Sequence, residues 1–247
     1  MLILLSSSKS MMTDGPPASQ LPHFLKEASE LSGKLKHYSN NDISSFFKSS
    51  PTLTRKITED LMNWDYREHK KHNHAAIFSF TGDAFSKLNI KSISNHGLKN
   101  AKLSIRILSG LYGILRPMDS IQKYRLDMAQ RLGDISLLKY WSPKITNNLS
   151  LESDHEYIFN LASKEYSQSI DRTQIGQRWI NIDFFEKKGN ALKSVSIFSK
   201  QARGYFTRFI CEHFSDYKDL EKMKNFDVSG YRFDNSQSTD DNWVFTR

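Results

Sequence analysis

Met1-Leu2-Ile3-Leu4-Leu5-Ser6 opens the chain, and the four apolar residues inside it decide how the rest is read. A strand with one wet face alternates apolar and polar residues. This run does not alternate, so it reads as a strand buried on both faces, central in a sheet. It is too short for a secretory leader, and no basic residue precedes it. Nowhere does the chain approach the ~20 apolar residues of a membrane helix. A cytoplasmic protein with no membrane partner is therefore expected. Ser6-Ser7-Ser8-Lys9-Ser10 follows the strand, then Gly15, Pro16, Pro17 and Pro22 mark a turn-rich loop.

Working outward, helical patterns run from about Phe24 to Lys36 and from Ser50-Pro51 to about Tyr66, where serine caps and proline suits the first helical position. Ala75 to Phe80 reads as a strand. Gly97 to Leu108 reads as a helix, and Leu137 to Leu149 as a helix interrupted near Pro143. Tyr157 to Leu161 reads as a strand. Trp179 to Lys187 and Leu192 to Ser199 read as two strands joined by Lys188-Gly189-Asn190. Gln201 to Phe214 reads as a helix, and Tyr231 to Phe233 with Trp243 to Phe245 as a short hairpin. Strands and helices intermix throughout, with no repeat and no linker. The expected fold class is mixed α/β (α+β), a single domain over residues 1–247 with a mixed sheet flanked by helices.

At 247 residues the chain can bury a core without staples. Its single cysteine, Cys211, excludes an internal disulfide and a cysteine-cluster zinc site, and its apolar helical setting reads as an inert core thiol. Neither a P-loop nor a dinucleotide fingerprint is present. The closely spaced His69, His72 and His74 sit among lysines at irregular spacing and read as a solvated loop, so no metal or other cofactor is expected. The formal charge of +8 points to polyanions as partners.

Three places concentrate candidate chemistry. In Leu108-Ser109-Gly110-Leu111-Tyr112-Gly113-Ile114-Leu115-Arg116-Pro117, two glycines three apart mark a tight turn, close to a helix-hairpin-helix element that offers backbone N–H groups to phosphate. A turn packed on the core has the same pattern. From Lys99 to Arg131, seven bases face two acids, Asp119 and Asp127. This is either a phosphate-contacting stretch or a solvated basic face. In Lys200-Gln201-Ala202-Arg203-Gly204-Tyr205-Phe206-Thr207-Arg208, a helix would set Lys200, Arg203 and Thr207 on one face, with Phe206 in the core. Finally, Lys9, Asp83 and the Asn160 to Tyr166 segment with Glu165 each follow a strand, where open α/β sheets place ligands. A lysine beside carboxylates can serve as nucleophile or base. Equally, Asp83 and Ser163 can be helix caps and Lys9 an anion contact.

In order along the chain, Leu2 to Ser6 with Lys9, Gly82-Asp83, Leu108 to Asp119, Tyr124-Arg125-Leu126-Asp127-Met128, Asn160-Leu161-Ala162-Ser163 with Glu165-Tyr166, Ala202-Arg203-Gly204, Phe209-Ile210 and Val244-Phe245 resemble the YaaA family over nearly the whole length. The resemblance implies a role in resistance to hydrogen peroxide, with limitation of intracellular free iron and protection of DNA. It further implies a positively charged cleft, a helix-hairpin-helix-like element and binding of double-stranded DNA. The hairpin corresponds here to Gly110 to Gly113, and the cleft cations to Lys9, Lys200 and Arg203. The chain departs from the pattern at Ser7-Ser8-Lys9-Ser10, where a proline is missing, at Phe85 in place of a tyrosine, and at Gln201, where a second lysine is common.

The leading expectation is therefore a DNA-binding protein of peroxide stress using Lys9, Gly110, Tyr112, Gly113, Arg116, Arg125, Lys200, Arg203 and Arg208. The alternative is an enzyme acting on nucleic acid bases or nucleotides, with Lys9 as nucleophile and Asp83 or Glu165 as acid or base. A small anionic ligand is the other occupant the cleft would suit.

Overall fold

The computed structural model describes residues 1–70, 74–189, 191–213 and 220–247. The first half carries β1 (Leu2–Ser6), α1 (Leu25–Lys36), α2 (Asn40–Phe47), α3 (Pro51–Asn63), β2 (His74–Ala75), α4 (Ala76–Ser79), α5 (Asp83–Leu88), α6 (Asn95–Ser104), β3 (Ile105–Ser109), β4 (Gly113–Leu115) and β5 (Ser120–Ile121). The second half carries β6 (Arg131–Leu132), β7 (Ile135–Ser136), α7 (Leu137–Ser150), β8 (Tyr157–Asn160), α8 (Lys164–Ser167), β9 (Arg178–Lys188), β10 (Ala191–Lys193), α9 (Ser196–His213), α10 (Leu220–Met223), β11 (Arg232–Phe233) and β12 (Asn242–Thr246).

The main sheet has the order β11-β12-β9-β8-β1-β3-β4, with β10 paired to β9. Strands β12, β9, β8, β1 and β3 run parallel, while β4, β11 and β10 pair antiparallel to their neighbours. This is the mixed, helix-flanked sheet the intermixed elements imply. Leu2, Ile3, Leu4 and Leu5 are each at most 1% exposed. An unbroken apolar run is stable only where helices cover both faces, and burying each such side chain contributes about 1.5–3 kcal/mol. From β1 the chain proceeds to β3 on one side and later returns to β8 on the other. The carboxyl end of β1 is thus a topological switch point, where diverging connections leave a crevice.

Several elements differ from expectation. Ala75 to Phe80 is mostly the short helix α4, because Ala76 and Ile77 bond back to Asp119 and Pro117 carbonyls rather than to a strand partner. The helix expected to reach Leu108 stops at Ser104, and the five buried residues that follow form β3. Leu192 to Ser199 is not a strand: only Ala191–Lys193 pairs with β9, and α9 begins at Ser196. Asn190 and Phe214 lie outside the described residues. Helix α7 runs through Pro143 without a break, because Trp141 before it and Ile145 and Leu149 after it anchor both halves in the core.

The glycine-rich segment is a β-hairpin and not a helix-hairpin-helix. Gly110 to Tyr112 turn the chain from β3 into β4 inside the core. A Cβ on Gly110 would lie 2.2 Å from the Leu126 carbonyl oxygen, and one on Gly113 (φ +70°) would lie 2.6 Å from the Trp141 ring. The glycines are there for packing against neighbouring protein. Two helices joined by a tight turn do occur elsewhere. Lys48, in the left-handed region (φ 47°), closes α2, and Ser50 caps α3 ahead of Pro51. Most L residues are disfavoured there by roughly 1–2 kcal/mol, so the surrounding contacts hold this turn in place.

Candidate functional site

Three chain segments meet above the carboxyl end of β1 and β8 around a cleft of 350 Å³. Ser6 to Ser10 leave β1, Leu161 to Tyr166 leave β8, and Gly82 to Phe85 start α5. Asp127 closes one wall, and Lys200 and Arg203 of α9 close another. The loop after β1 is fixed by hydroxyl bonds. The Ser163 amide donates to Ser6 Oγ at 2.9 Å, the Ser7 amide to the Leu108 carbonyl at 2.8 Å, and the Gly82 amide to Ser8 Oγ at 3.1 Å. These small residues let three segments approach with their backbone groups satisfied. Helices α5 and α9 are pressed together at Gly204, whose missing side chain leaves room for the Ala84 carbonyl.

Lys9 Nζ is ion-paired with Asp127 Oδ2 at 2.9 Å, with most of the lysine side chain exposed. Neither Asp83 nor Glu165 bonds to Lys9 among the described residues, although both line the cleft. The lining therefore holds three cations (Lys9, Lys200, Arg203) against three carboxylates (Asp83, Asp127, Glu165), so it is formally neutral. Lys200 is exposed and has no ion-pair partner among the described residues. Arg203 is largely enclosed, and its buried Nε has no hydrogen-bond partner. Burial pushes the Arg203 guanidinium down from its ordinary range and the Asp183 carboxyl on β9 up, and each charge opposes the other's shift. Burial also raises the Tyr124 phenol to about 12, with the nearby Asp127 charge adding to the shift. Tyr166 moves the same way for the same two reasons.

Among the sequence candidates, the fold brings Lys9, Asp83, Glu165, Lys200 and Arg203 together across almost 200 positions. It scatters the others. Gly110, Tyr112 and Gly113 are buried in the turn. The Tyr112 hydroxyl accepts from Trp64 Nε1 at 2.8 Å and from the Gln122 amide at 3.2 Å. Arg116 grips Asp119 through Nε and Nη2 and the Leu21 carbonyl, and it lines a different pocket with His23 and Glu152. Arg125 lies over the Phe47 ring at 5.8 Å. Arg208 is spent on the Leu88, Asn89 and Ser92 carbonyls and on Glu212. The basic stretch from Lys99 to Arg131 is thus not one face, since Arg106 is also buried against Glu152. Asp83 is the first residue of α5 and Ser163 precedes α8, but neither side chain caps its helix. His69 is not in a solvated loop. It is buried, with Nδ1 2.9 Å from Ser120 Oγ and Nε2 3.2 Å from the Tyr112 hydroxyl. His72 lies outside the described residues.

Sequence reading missed Asp127 and Tyr166 as members of the site, and Asp183 as the charge beside Arg203. Asp127 had a signal in Tyr124 to Met128, one of the stretches that carry the family resemblance, where it stands between the apolar Leu126 and Met128. Asp183 lies on the half-buried face of β9, between the buried Ile182 and Phe184. The 124–130 segment also ties the α2–α3 turn to the cleft: Arg125 covers Phe47, Gln130 Nε2 donates to the Phe46 carbonyl, and Asp127 reaches Lys9. No described helix is long and apolar enough to cross a membrane.

Comparison with known proteins places relatives around this architecture. A family model described as peroxide stress protein YaaA matches residues 1–237. A UPF0246 protein of Rickettsia rickettsii (strain Iowa) is 34% identical over 253 residues, covering 100% of both chains. One from Francisella philomiragia subsp. philomiragia is 35% identical over 257 residues, again 100% of both. Another from Francisella tularensis subsp. novicida (strain U112) is 36% identical over 233 residues, 92% of this chain and 91% of the relative.

Proposed function

The chain belongs to the family of the peroxide stress protein YaaA, and from that premise we propose that it binds double-stranded DNA as part of the peroxide stress response, with the cations of the cleft above β1 contacting its phosphates. The observation that carries this reading is Arg203. It lines the cleft, its Nε is buried, and that N–H has no partner among the described residues. A guanidinium has five donors and no acceptor, and a buried donor left unpaired is costly, so the group calls for an anion such as a phosphate oxygen. Lys200 one turn earlier adds a second cation. Protection of DNA, limitation of intracellular free iron and a cytoplasmic setting belong to the same proposal.

The test is binding to a labelled duplex across a salt series, wild type beside Arg203→Ala. Loss of one phosphate contact lowers the log–log salt slope by about one unit and weakens all sequences alike. Absence of binding at low salt would refute the reading and leave the cleft to a small anionic ligand.

A second reading, an enzyme acting on bases or nucleotides, is favoured by the cleft's neutral lining and by its size. At 350 Å³ it suits a single nucleotide and not a duplex. Lys9, held 2.9 Å from Asp127, is the nucleophile in that reading, with Asp83 or Glu165 as acid or base. Lys9→Ala then abolishes turnover while leaving DNA affinity nearly intact. If Lys9 only contacts phosphate, the same change weakens binding and flattens the salt slope.

A further inference from the structure

A line of hydroxyl groups leads from the β3–β4 turn to the cleft, and its direction of donation follows from one end. Ser109 Oγ, at the close of β3, accepts from the Leu111 amide at 3.2 Å and from the Tyr112 amide at 3.0 Å. A hydroxyl has two lone pairs and one hydrogen, so Ser109 has only its hydrogen left to give. The Tyr124 hydroxyl, 2.7 Å away, receives it. Tyr124 must then donate in its turn, and the hydroxyl facing it is that of Ser7. Ser7 Oγ donates onward to the Tyr166 hydroxyl at 3.5 Å. Two backbone amides, which can only donate, thus set the direction of the whole line.

The line ends on Tyr166, which lines the cleft and is 7% exposed. Its oxygen accepts from Ser7, and among the described residues no acceptor takes its own hydrogen. Asp127, whose charge is felt at this phenol, is ion-paired with Lys9. Burial, and after it the Asp127 charge, oppose ionisation of Tyr166, so the hydrogen stays in place. An enclosed O–H donor without an acceptor is costly, and the Arg203 Nε–H of the same cleft is in the same condition. Both groups call for oxygen atoms on a ligand. The phosphate of a nucleotide, free or in a strand, supplies them, and the 350 Å³ of the cleft suits one nucleotide unit.

We propose that Tyr166 is a neutral hydrogen-bond donor to the phosphate of a nucleotide unit bound in the cleft, and that Ser109, Tyr124 and Ser7 are positioning residues that keep its O–H free for that ligand. This assignment rests on the anion-binding reading of the cleft and adds a donor that net charge does not reveal. Unlike Arg203 and Lys200, Tyr166 carries no charge and releases no counterion, so its contribution is separable from theirs by salt.

The test uses the full chain and two probes, the labelled duplex across a salt series and deoxyadenosine 5′-monophosphate by titration calorimetry at low salt. Tyr166→Phe keeps the ring and removes the O–H alone, so circular dichroism should report an unchanged fold. It is expected to weaken the probe that seats in the cleft by about tenfold to a hundredfold, the worth of a hydrogen bond to a charged group. On the duplex its salt slope is expected to match wild type, where Arg203→Ala lowers the slope by about one unit. A loss on the duplex supports the proposal with a strand phosphate as the ligand, and a loss on the mononucleotide supports it with a free one. Ser7→Ala is expected to weaken the same probe severalfold, and to add nothing in the Tyr166→Phe background, because a positioning residue acts only through the group it positions. Unchanged affinity of Tyr166→Phe for every probe that wild type binds overturns the proposal and leaves the Arg203 reading in place. So does a loss accompanied by a lowered salt slope, since a charge has then been disturbed. Additive losses from Ser7→Ala and Tyr166→Phe overturn the positioning line. Wild type that binds neither probe at low salt overturns the anion-binding reading of the cleft, and this assignment with it.

Discussion

Gly204→Ala probes the joint on which the cleft depends. A Cβ at Gly204 would sit 2.0 Å from the Ala84 carbonyl oxygen and 2.9 Å from the Leu88 nitrogen, both backbone atoms of α5. Relief to an ordinary contact requires α5 and α9 to separate by more than an ångström, because neither atom is the end of a flexible side chain. Overpacking of this kind costs about 1–3 kcal/mol, and rigid backbone on both sides places it at the upper end. Alanine recovers about 1 kcal/mol of helix propensity, so a net loss of roughly 2 kcal/mol is expected. Gly33 is the internal control. It lies in α1 with nothing within 4 Å of its would-be Cβ, so Gly33→Ala gains the propensity alone, about 0.5–1 kcal/mol. In a domain of this size, 1 kcal/mol moves Tm by about 2–4 °C, so Gly204→Ala should melt about 4–8 °C lower and Gly33→Ala about 1–4 °C higher. Differential scanning calorimetry reads both. A Gly204→Ala protein that melts at or above wild type would refute the claim that helix contact at this point sets the cleft.

Tyr112→Phe strands Trp64 Nε1, the Gln122 amide and His69 Nε2 in the core, and should cost roughly 2–4 kcal/mol in urea unfolding while leaving the folded protein's duplex affinity unchanged. The Ser120 hydroxyl donates to the His69 carbonyl, so Nδ1–H must donate to Ser120 and Nε2 must accept from Tyr112, a pattern only neutral His69 satisfies. Burial accordingly holds His69 near 4, below its ordinary 6.5. The unfolded chain therefore binds more protons between those values, and stability should fall as pH drops from 6.5 toward 4, by roughly 3 kcal/mol in all. His69→Gln should flatten that pH dependence of the urea midpoint, and an unchanged profile would contradict the assignment. Arg208→Ala should lower Tm and leave the salt slope of any DNA binding untouched, because its guanidinium is occupied by carbonyls and Glu212. Glu152→Ala leaves the Arg106 guanidinium without its carboxylate in a half-closed setting and should cost about 3–5 kcal/mol, which chemical denaturation would reveal as a large shift in midpoint.

Local chemistry was legible where a residue's neighbours in sequence are also its neighbours in space. Ser50-Pro51 marks the start of α3 because a cap and its helix are adjacent along the chain. Misreadings arose where two periodicities meet within a few residues. The apolar run after Gly97 serves a helix up to Ser104 and a strand beyond it, and only the partner strand decides the border. Likewise Ile197 and Phe198 looked like the end of a strand because they are apolar, and they are instead the exposed first turn of a helix. The glycines at 110 and 113 correctly signalled close approach, but the approaching groups are the Leu126 carbonyl and the Trp141 ring, which lie far away in sequence.

By itself the sequence determined that a buried central strand opens the chain, that helices and strands alternate in one domain, and that the protein belongs among basic proteins without disulfides. Those properties follow from hydrophobic burial and composition, which act residue by residue. Which cations share a surface was decided only by tertiary structure. Lys9, Lys200 and Arg203 meet because the ends of parallel strands and helix α9 converge at one edge, while Arg106, Arg116 and Arg208 are held by partners as distant as Glu152 and the Leu88 carbonyl. Charge is fixed by composition, but its direction and its partner are set by packing, and a linear pattern holds no record of either.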